Sequence, residues 1–280
     1  MRKRIGKKPL YYLVLGAFAA SALIPLAFVL VSSFFPPGEL AKYYVDTDKG
    51  ALSLVLIPKL ATLENYLNTL IATPSYLMKF WISLAISLAI MAGQVILACF
   101  GGYGFAKFNF RFKKVFFYLI IILMMMPHQV SLVSNYIVLN KLGWIGTYYS
   151  LIVPGMFSMF GVFLLTQVFS SIPNDVIEAA RIDGANHLTI LFRVVVPYRK
   201  SGIIALAILN FIDNWNMVEQ PLVFLKDRTM HPLSVFLSRV NEANLGLGFA
   251  CGVLAALPVL FLFLFFKDDL AGGIEYSNLK

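Results

Sequence analysis

Apolar positions in this chain come in long unbroken runs, not in the short alternating or 3.6-residue stripes of a soluble fold. Leu10–Phe35 and Phe80–Phe105 carry no charged residue. Val115–Asn140 contains only His128 as a possible charge, Leu142–Asn174 is uncharged throughout, and Ala243–Phe266 is again clean. A sixth run begins at Ser201, stays apolar to Ile212, meets Asp213 and Glu219, and continues to Leu225. Each is long enough for the roughly 20 residues a helix needs to cross a bilayer. The pattern predicts an all-α membrane protein with six transmembrane helices. Pro25, Pro127, Pro154 and Pro258 lie inside runs, where membrane helices tolerate proline and kink at it. The polar stretch 36–76 reads as an external loop, with a short helix at Thr62–Leu70.

Composition supports this reading. Hydrophobic residues make up 59% of the 280 and charged residues 13%, against about 45–50% and about 25% in soluble domains. So little charge cannot cover a water-facing surface, which excludes disorder, a nucleic-acid-binding domain and a disulfide-stapled scaffold. Cys99 and Cys251 sit in apolar runs and read as buried, inert thiols. The net charge of +9 reports topology. Arg2, Lys3, Arg4, Lys7 and Lys8 precede the first run, Lys107, Arg111, Lys113 and Lys114 follow the second, and Arg181, Arg193, Arg199 and Lys200 follow the fourth. With Lys267 and Lys280, one side holds 15 of the 23 basic residues. The positive-inside rule then places both termini in the cytoplasm. Ala17-Phe18-Ala19 resembles a cleavage site, but the apolar run continues to Phe35, too far for a removed leader, so the first run is read as a retained span. The chain divides into a basic N-terminus (1–9), a first span (10–35), the external loop (36–76), a five-helix core (77–266) with a cytoplasmic loop (170–201), and a tail (267–280).

That loop has the local chemistry of two short helices. Pro173 suits a first helical position and Asp175 a first turn. Val176, Ile177 and Ala180 share one face, and Glu178 and Arg181 are spaced i, i+3. Gly184 follows Asp183 where a helix end needs a left-handed residue. Asn186 caps a second helix, on which Leu188, Leu191, Phe192 and Val195 form one stripe before Pro197 ends it. The spacing fits an interfacial hairpin flat on the headgroups and equally a docking element for a partner.

Here the chain resembles the permease subunits of binding-protein-dependent ABC importers. Their loop pattern is EAA, three residues, Gly, nine residues, Ile-x-Leu-Pro. This chain has Glu178-Ala179-Ala180, Gly184 and Val194-Val195-Val196-Pro197 at the same spacing, with Val for Ile and for Leu. The stretch Gly102–Phe108, Met126-Pro127, Leu142-Gly143, Ile172-Pro173, Asp183-Gly184-Ala185, Trp215-Asn216 and Pro221-Leu222 is similar to the carbohydrate branch, in particular the smaller maltose-type permease. The likeness covers roughly 60–266; the ending Asp268–Gly273 departs from it.

The resemblance implies a type I ABC importer permease fold in the cytoplasmic (inner) membrane of a prokaryote. It implies a second homologous permease, a cytoplasmic ABC ATPase dimer and an external solute-binding protein as partners, with lipid around the spans and no nucleic acid. Glu178, Ala179, Ala180, Arg181, Asp183, Gly184, Leu188 and Pro197 become the ATPase-coupling residues. The chain has no Gly-rich phosphate loop followed by Lys-Ser/Thr, so it is expected to be a transport subunit and no enzyme. It would bind no cofactor, with ATP and Mg on the partner. Three histidines in separate segments give no metal site.

Polar groups inside spans are costly and line cavities or pair. Asp213, Asn214, Trp215 and Asn216 cluster in the fifth span, with Gln129 in the third. Carboxylate, amide and indole suit sugar hydroxyls and ring faces, and they serve as well to fix packing between spans. Gln94, His128, Asn135 and Gln167 read as interhelical hydrogen bonders. The cargo is read as a sugar; a polyol, a phosphorylated sugar or a glycerol-phosphate ester is the alternative. An intramembrane protease lacks both a second span aspartate and a Gly-x-Ser site near His128.

Overall fold

The computed structural model describes residues 8–36, 38–40, 57–239 and 245–275. Arg2 to Lys7, most of the external loop including Asp46, and Lys280 lie outside them. Described residues form helices and connecting turns, without strands. In chain order these are α1 Lys8–Ser32, α2 Glu64–Leu67 with a wide turn at Asn68–Ala72, and α3 Pro74–Lys107. Next come α4 Lys113–Met124, α5 His128–Lys141, α6 Tyr149–Gly155 and α7 Met159–Ser170. The loop follows as α8 Asn174–Ile182, α9 His187–Ile190, a π-turn Leu191–Val195 and α10 Val196–Tyr198. The chain continues with α11 Lys200–Trp215, α12 Glu219–Phe224, α13 Leu233–Leu237 and α14 Leu245–Glu275.

Among the described residues, four helical stretches are long and apolar enough to cross a membrane: Tyr11–Ser32, Pro74–Lys107, Tyr149–Ser170 and Leu245–Leu270. Two further helix pairs qualify only as bent pairs, Lys113–Met124 with Gln129–Lys141 at 102° and His187–Tyr198 with Lys200–Trp215 at 84°. Among the described residues the count is therefore four, or up to six if each bent pair is one span, where the hydrophobic pattern predicts six spans.

The differences have local causes. The third run breaks at Met125–Pro127, and Pro127 stands before α5 at φ −57° and ψ 132°. The fourth starts at Tyr149, not Leu142, and is interrupted where Ser158 turns extended and its hydroxyl accepts from Gly161 N at 3.0 Å. The fifth ends as a helix at Trp215: Asn216 donates its side-chain amide to Ile212 O at 2.9 Å, competing with the backbone ladder. The 16 residues of α11 reach only about 24 Å. The last helix kinks at Phe266 (φ −118°, ψ 17°), the residue at which the apolar run stops.

The chain forms two compact units. One comprises residues up to Met78 together with Phe236–Leu257. Its anchor is buried Asn65, whose amide donates to Ser33 O at 3.1 Å and Phe35 O at 2.7 Å. Tyr66 and Ser33 hydroxyls meet at 2.6 Å, and Phe28 packs edge-on to Phe249. Cys251 is buried beneath Thr69 and Tyr76.

The other unit comprises Lys79–Val235 and residues from Pro258 onward. Its α3, α7 and α11 touch through small residues, as membrane helices do. Gly102 abuts the backbone of Leu165 and Gly202 the side chain of Val168. A core of Ala98, Cys99, Tyr103, Leu165, Phe169 and Leu206 continues into the loop through Ile172, Ile177, Ile190, Leu191 and Val195.

Candidate functional site: the loop and the cavity

The loop is built as its capping residues demand. Pro173 precedes α8 as its N-cap, one position earlier than the spacing predicts, and Asp175 lies in the first turn. At the far end Gly184 is left-handed (φ +81°). Gly184 N donates to Arg181 O at 2.9 Å and Ala185 N to Ala180 O at 3.0 Å, the paired bonds of a Schellman close. Asn186 then caps α9 through its side-chain oxygen, which accepts from Thr189 N at 2.8 Å.

The second helix departs from the expected stripe. The π-turn Leu191–Val195 widens the helix and shifts the face by about one residue. Ile190, Leu191 and Val195 are buried, whereas Leu188 and Phe192 are exposed. Pro197 does not end the helix: the turn runs on to Tyr198 and breaks at Arg199 (φ −124°, ψ 35°). A proline has no N–H to give, and the loosened π-turn just ahead of it relieves that misfit.

The loop therefore has an inner and an outer face. The inner face packs on the unit's own core. Lys107 Nζ, at the end of α3, donates to Ile172 O and, at 3.1 Å, to Asn174 Oδ1, and Arg199 donates to Ser171 O at 3.3 Å. Tyr103, Phe108 and His187 cluster, with Tyr103 Oη 3.4 Å from His187 Nδ1. On the outer face Glu178, Ala179, Arg181, Asp183, Gly184 and Leu188 are exposed, along with Ile182 at 87%. Ala180 is half-buried against the core.

A cavity of about 490 Å³ is bordered by α3, the break between α4 and α5, the break between α6 and α7, and the end of α11. Asp213 and Asn214 line it. Asn214 donates to Asn210 O at 2.6 Å and to Gln94 Oε1 at 3.3 Å. The other three pathway candidates lie elsewhere. Trp215 is buried, stacked on Phe211 at 5.6 Å and edge-on to Phe80 at 5.5 Å. Asn216 is exposed and returns to its own helix. Gln129 donates to Glu219 Oε1 at 3.3 Å, tying α5 to α12. Gln167 is exposed outside the cavity, and the side chain of His128 lies outside the described residues. Ser131, Ser150 and Gln220 line the cavity with Gln94 and Asn135. A hydroxyl in an apolar run usually satisfies a nearby carbonyl, as Ser150 does toward Thr147 O, so no sequence signal singles these serines out.

Residues 85–271 match the sequence family described as Binding-protein-dependent transport system inner membrane component. The chain is 27% identical over 262 residues to the arabinooligosaccharides transport system permease protein AraQ of Halalkalibacterium halodurans, covering 92% of this chain and 91% of that protein. It is 25% identical over 285 residues to protein LplC of Bacillus subtilis, covering 96% and 92%. A shorter match, 33% over 162 residues, joins it to the sn-glycerol-3-phosphate transport system permease protein UgpE of Brucella abortus, covering 58% and 57%. Among solved structures, a chain of a bacterial ABC transporter involved in import of the acidic polysaccharide alginate has the same fold. Its TM-score is 0.80 at 22% identity over 96% of this chain and 98% of that one. A chain of the alginate transporter in complex with its pentasaccharide-bound periplasmic protein aligns at TM-score 0.62 and 15% identity, over 94% and 96%. The helices, the loop and the family match agree: this chain belongs to the binding-protein-dependent transport system inner membrane components, as a multi-pass membrane permease subunit and not an enzyme.

Proposed function

We propose that the chain is one half of the pathway of an ATP-driven sugar importer, coupled to a cytoplasmic ATPase through the 170–201 loop. The observation that carries the coupling role is how the loop spends its apolar residues. Ile177, Ile190, Leu191 and Val195 are used up on the chain's own core, which leaves Leu188 and Phe192 as the outward part of the expected stripe. What points outward is a mixed surface: Glu178 beside Ala179 and Gly184, flanked by Ile182 and Leu188. A charged group amid small and apolar residues suits a protein cleft. On this reading Glu178, Ala179, Arg181, Asp183, Gly184 and Leu188 meet the ATPase, while Ala180 and Pro197 hold the loop's shape. ATP and Mg belong to that partner.

The remaining roles follow the same reading. A second permease completes the pathway, and an external binding protein delivers solute. The bent pairs count as single crossings, giving six spans in the inner membrane with residues 1–9 and 267–280 cytoplasmic and 36–76 external. Asp213 and Asn214 face the solute in the cavity. Sugar is the favoured cargo because the relatives matched over nearly their whole length include arabinooligosaccharide permeases. A glycerol-phosphate ester is the second reading, favoured by the 33% match to UgpE.

The test is Gly184→Trp in the assembled transporter. A side chain there costs about 1–2 kcal/mol in the left-handed backbone and misplaces α9 relative to α8. The expected outcome is six inserted spans with the ATPase lost on co-purification, or with stimulated hydrolysis abolished. Wild-type retention of both overturns the docking role.

A further inference from the structure

The cavity carries charge of one sign. Among the described residues lining it, Asp213 alone is ionisable, and none is a lysine or arginine. The remaining polar groups are neutral amides and hydroxyls, such as Gln94, Asn135 and Ser150. Asp213 is exposed and makes no hydrogen bond or ion pair among the described residues, so nothing there neutralises it. Its neighbour Asn214 is committed to Asn210 O and Gln94, which fixes the last turn of α11 beneath the carboxylate. Leu123, Met124 and Phe160 add apolar surface to the same lining. A cleft lined by one sign of charge biases which ions gather in it. A volume of about 490 Å³ falls in the range of small-molecule sites.

We propose that Asp213 makes this half of the pathway selective by charge, admitting neutral or cationic polyhydroxylated solutes and repelling those that carry a carboxylate or phosphate. This rests on the reading that the cavity belongs to the solute pathway. Amides and hydroxyls match sugar hydroxyls in both donor and acceptor sense. A uronate or phosphate ester meets an unpaired negative charge and no cation in return, an arrangement that discriminates by repulsion. Asp213 is thus a specificity-determining residue, and it separates sugar from glycerol-phosphate cargo within the second reading above.

The experiment uses the complete transporter in membranes, with Asn135→Cys placing a thiol in the cavity. Two thiosulfonate reagents of similar size probe it, one bearing a trimethylammonium group and one a sulfonate. The cationic-to-anionic rate ratio should be at least about tenfold higher with Asp213 than with Asp213→Asn, and should shrink with added salt. Asp213→Glu should keep the high ratio, separating charge from any packing defect. Equal ratios with Asp213 and Asp213→Asn overturn charge selection while leaving the cavity open to solute. A cysteine that reacts with neither reagent overturns the pathway reading and the proposal with it.

Discussion

Asn214 on α11 donates its side-chain amide to Gln94 on α3 at 3.3 Å, a bond between two residues 120 positions apart in sequence. Bonds of this kind in membrane proteins average about 0.6 kcal/mol, because the unfolded chain in lipid finds other partners. A double-mutant cycle of Gln94→Leu and Asn214→Leu, read by unfolding in detergent, should give a coupling of about 0.5–1 kcal/mol. A coupling near zero would mean that the two amides serve the cavity and not the packing.

Gly102 and Gly104 lie two residues apart on α3 and should respond oppositely. A Cβ on Gly102 would sit 2.7 Å from Leu165 Cβ and 2.9 Å from its backbone carbon, whereas one on Gly104 meets nothing within 4 Å. Gly102→Leu should destabilise by about 1–3 kcal/mol. Gly104→Ala should be neutral or stabilising by up to about 1 kcal/mol through helix propensity. Thermal aggregation of the purified protein measures both, and equal losses would refute the close helix contact.

On the second loop helix, Ile190 is fully buried while Leu188 is 59% exposed. Ile190→Glu should abolish folded protein in membranes, since an unpaired buried charge adds to the lost packing. Leu188→Glu should leave the amount of inserted chain unchanged. Similar yields of the two variants would restore the simple apolar stripe.

Outside the spans, Asp227 accepts a hydrogen bond from Thr229 N at 2.8 Å. That bond, aided by the charges of His231 and Lys79, holds the carboxyl below its ordinary value. A carboxyl lowered on folding adds stability above its unfolded value, and this stability disappears as pH falls through the folded one. The protection factor of the Thr229 amide, its exchange measured against the intrinsic rate at the same pH, should thus be full above about pH 4 and be lost in stronger acid. Asp227→Asn, which still accepts the bond, should show much weaker pH dependence.

The sequence makes some of this legible and conceals the rest for physical reasons. Runs of apolar residues locate the four helices long enough to cross a membrane, because a helix in lipid must be apolar along its length. Gly184 and Asn186 announce their turns, because a left-handed backbone and an orphan N–H require such residues. Breaks at Ser158 and Asn216 are hidden, since one side chain bonding to backbone barely alters a hydropathy run. The π-turn has no compositional mark, so Leu188 and Ile190 exchange places relative to the expected stripe. Trp215 sits among amides like a sugar platform, yet its stacking on Phe211 and contact with Phe80 come from tertiary packing.

Lys107 fastens the C-terminal end of α3 to the Ile172 carbonyl and the Asn174 side chain of the loop. Thirteen residues back along the same unbroken helix stands Gln94, in the wall of the cavity. That distance is about 20 Å at the helical rise, so a tilt of roughly 10° imposed at the loop would swing Gln94 by about 3 Å. Three ångströms is the difference between a hydrogen bond held and one lost. The lysine clamp thereby makes one long helix a pointer, whose blunt end lies against the loop and whose tip reaches the wall of the cavity.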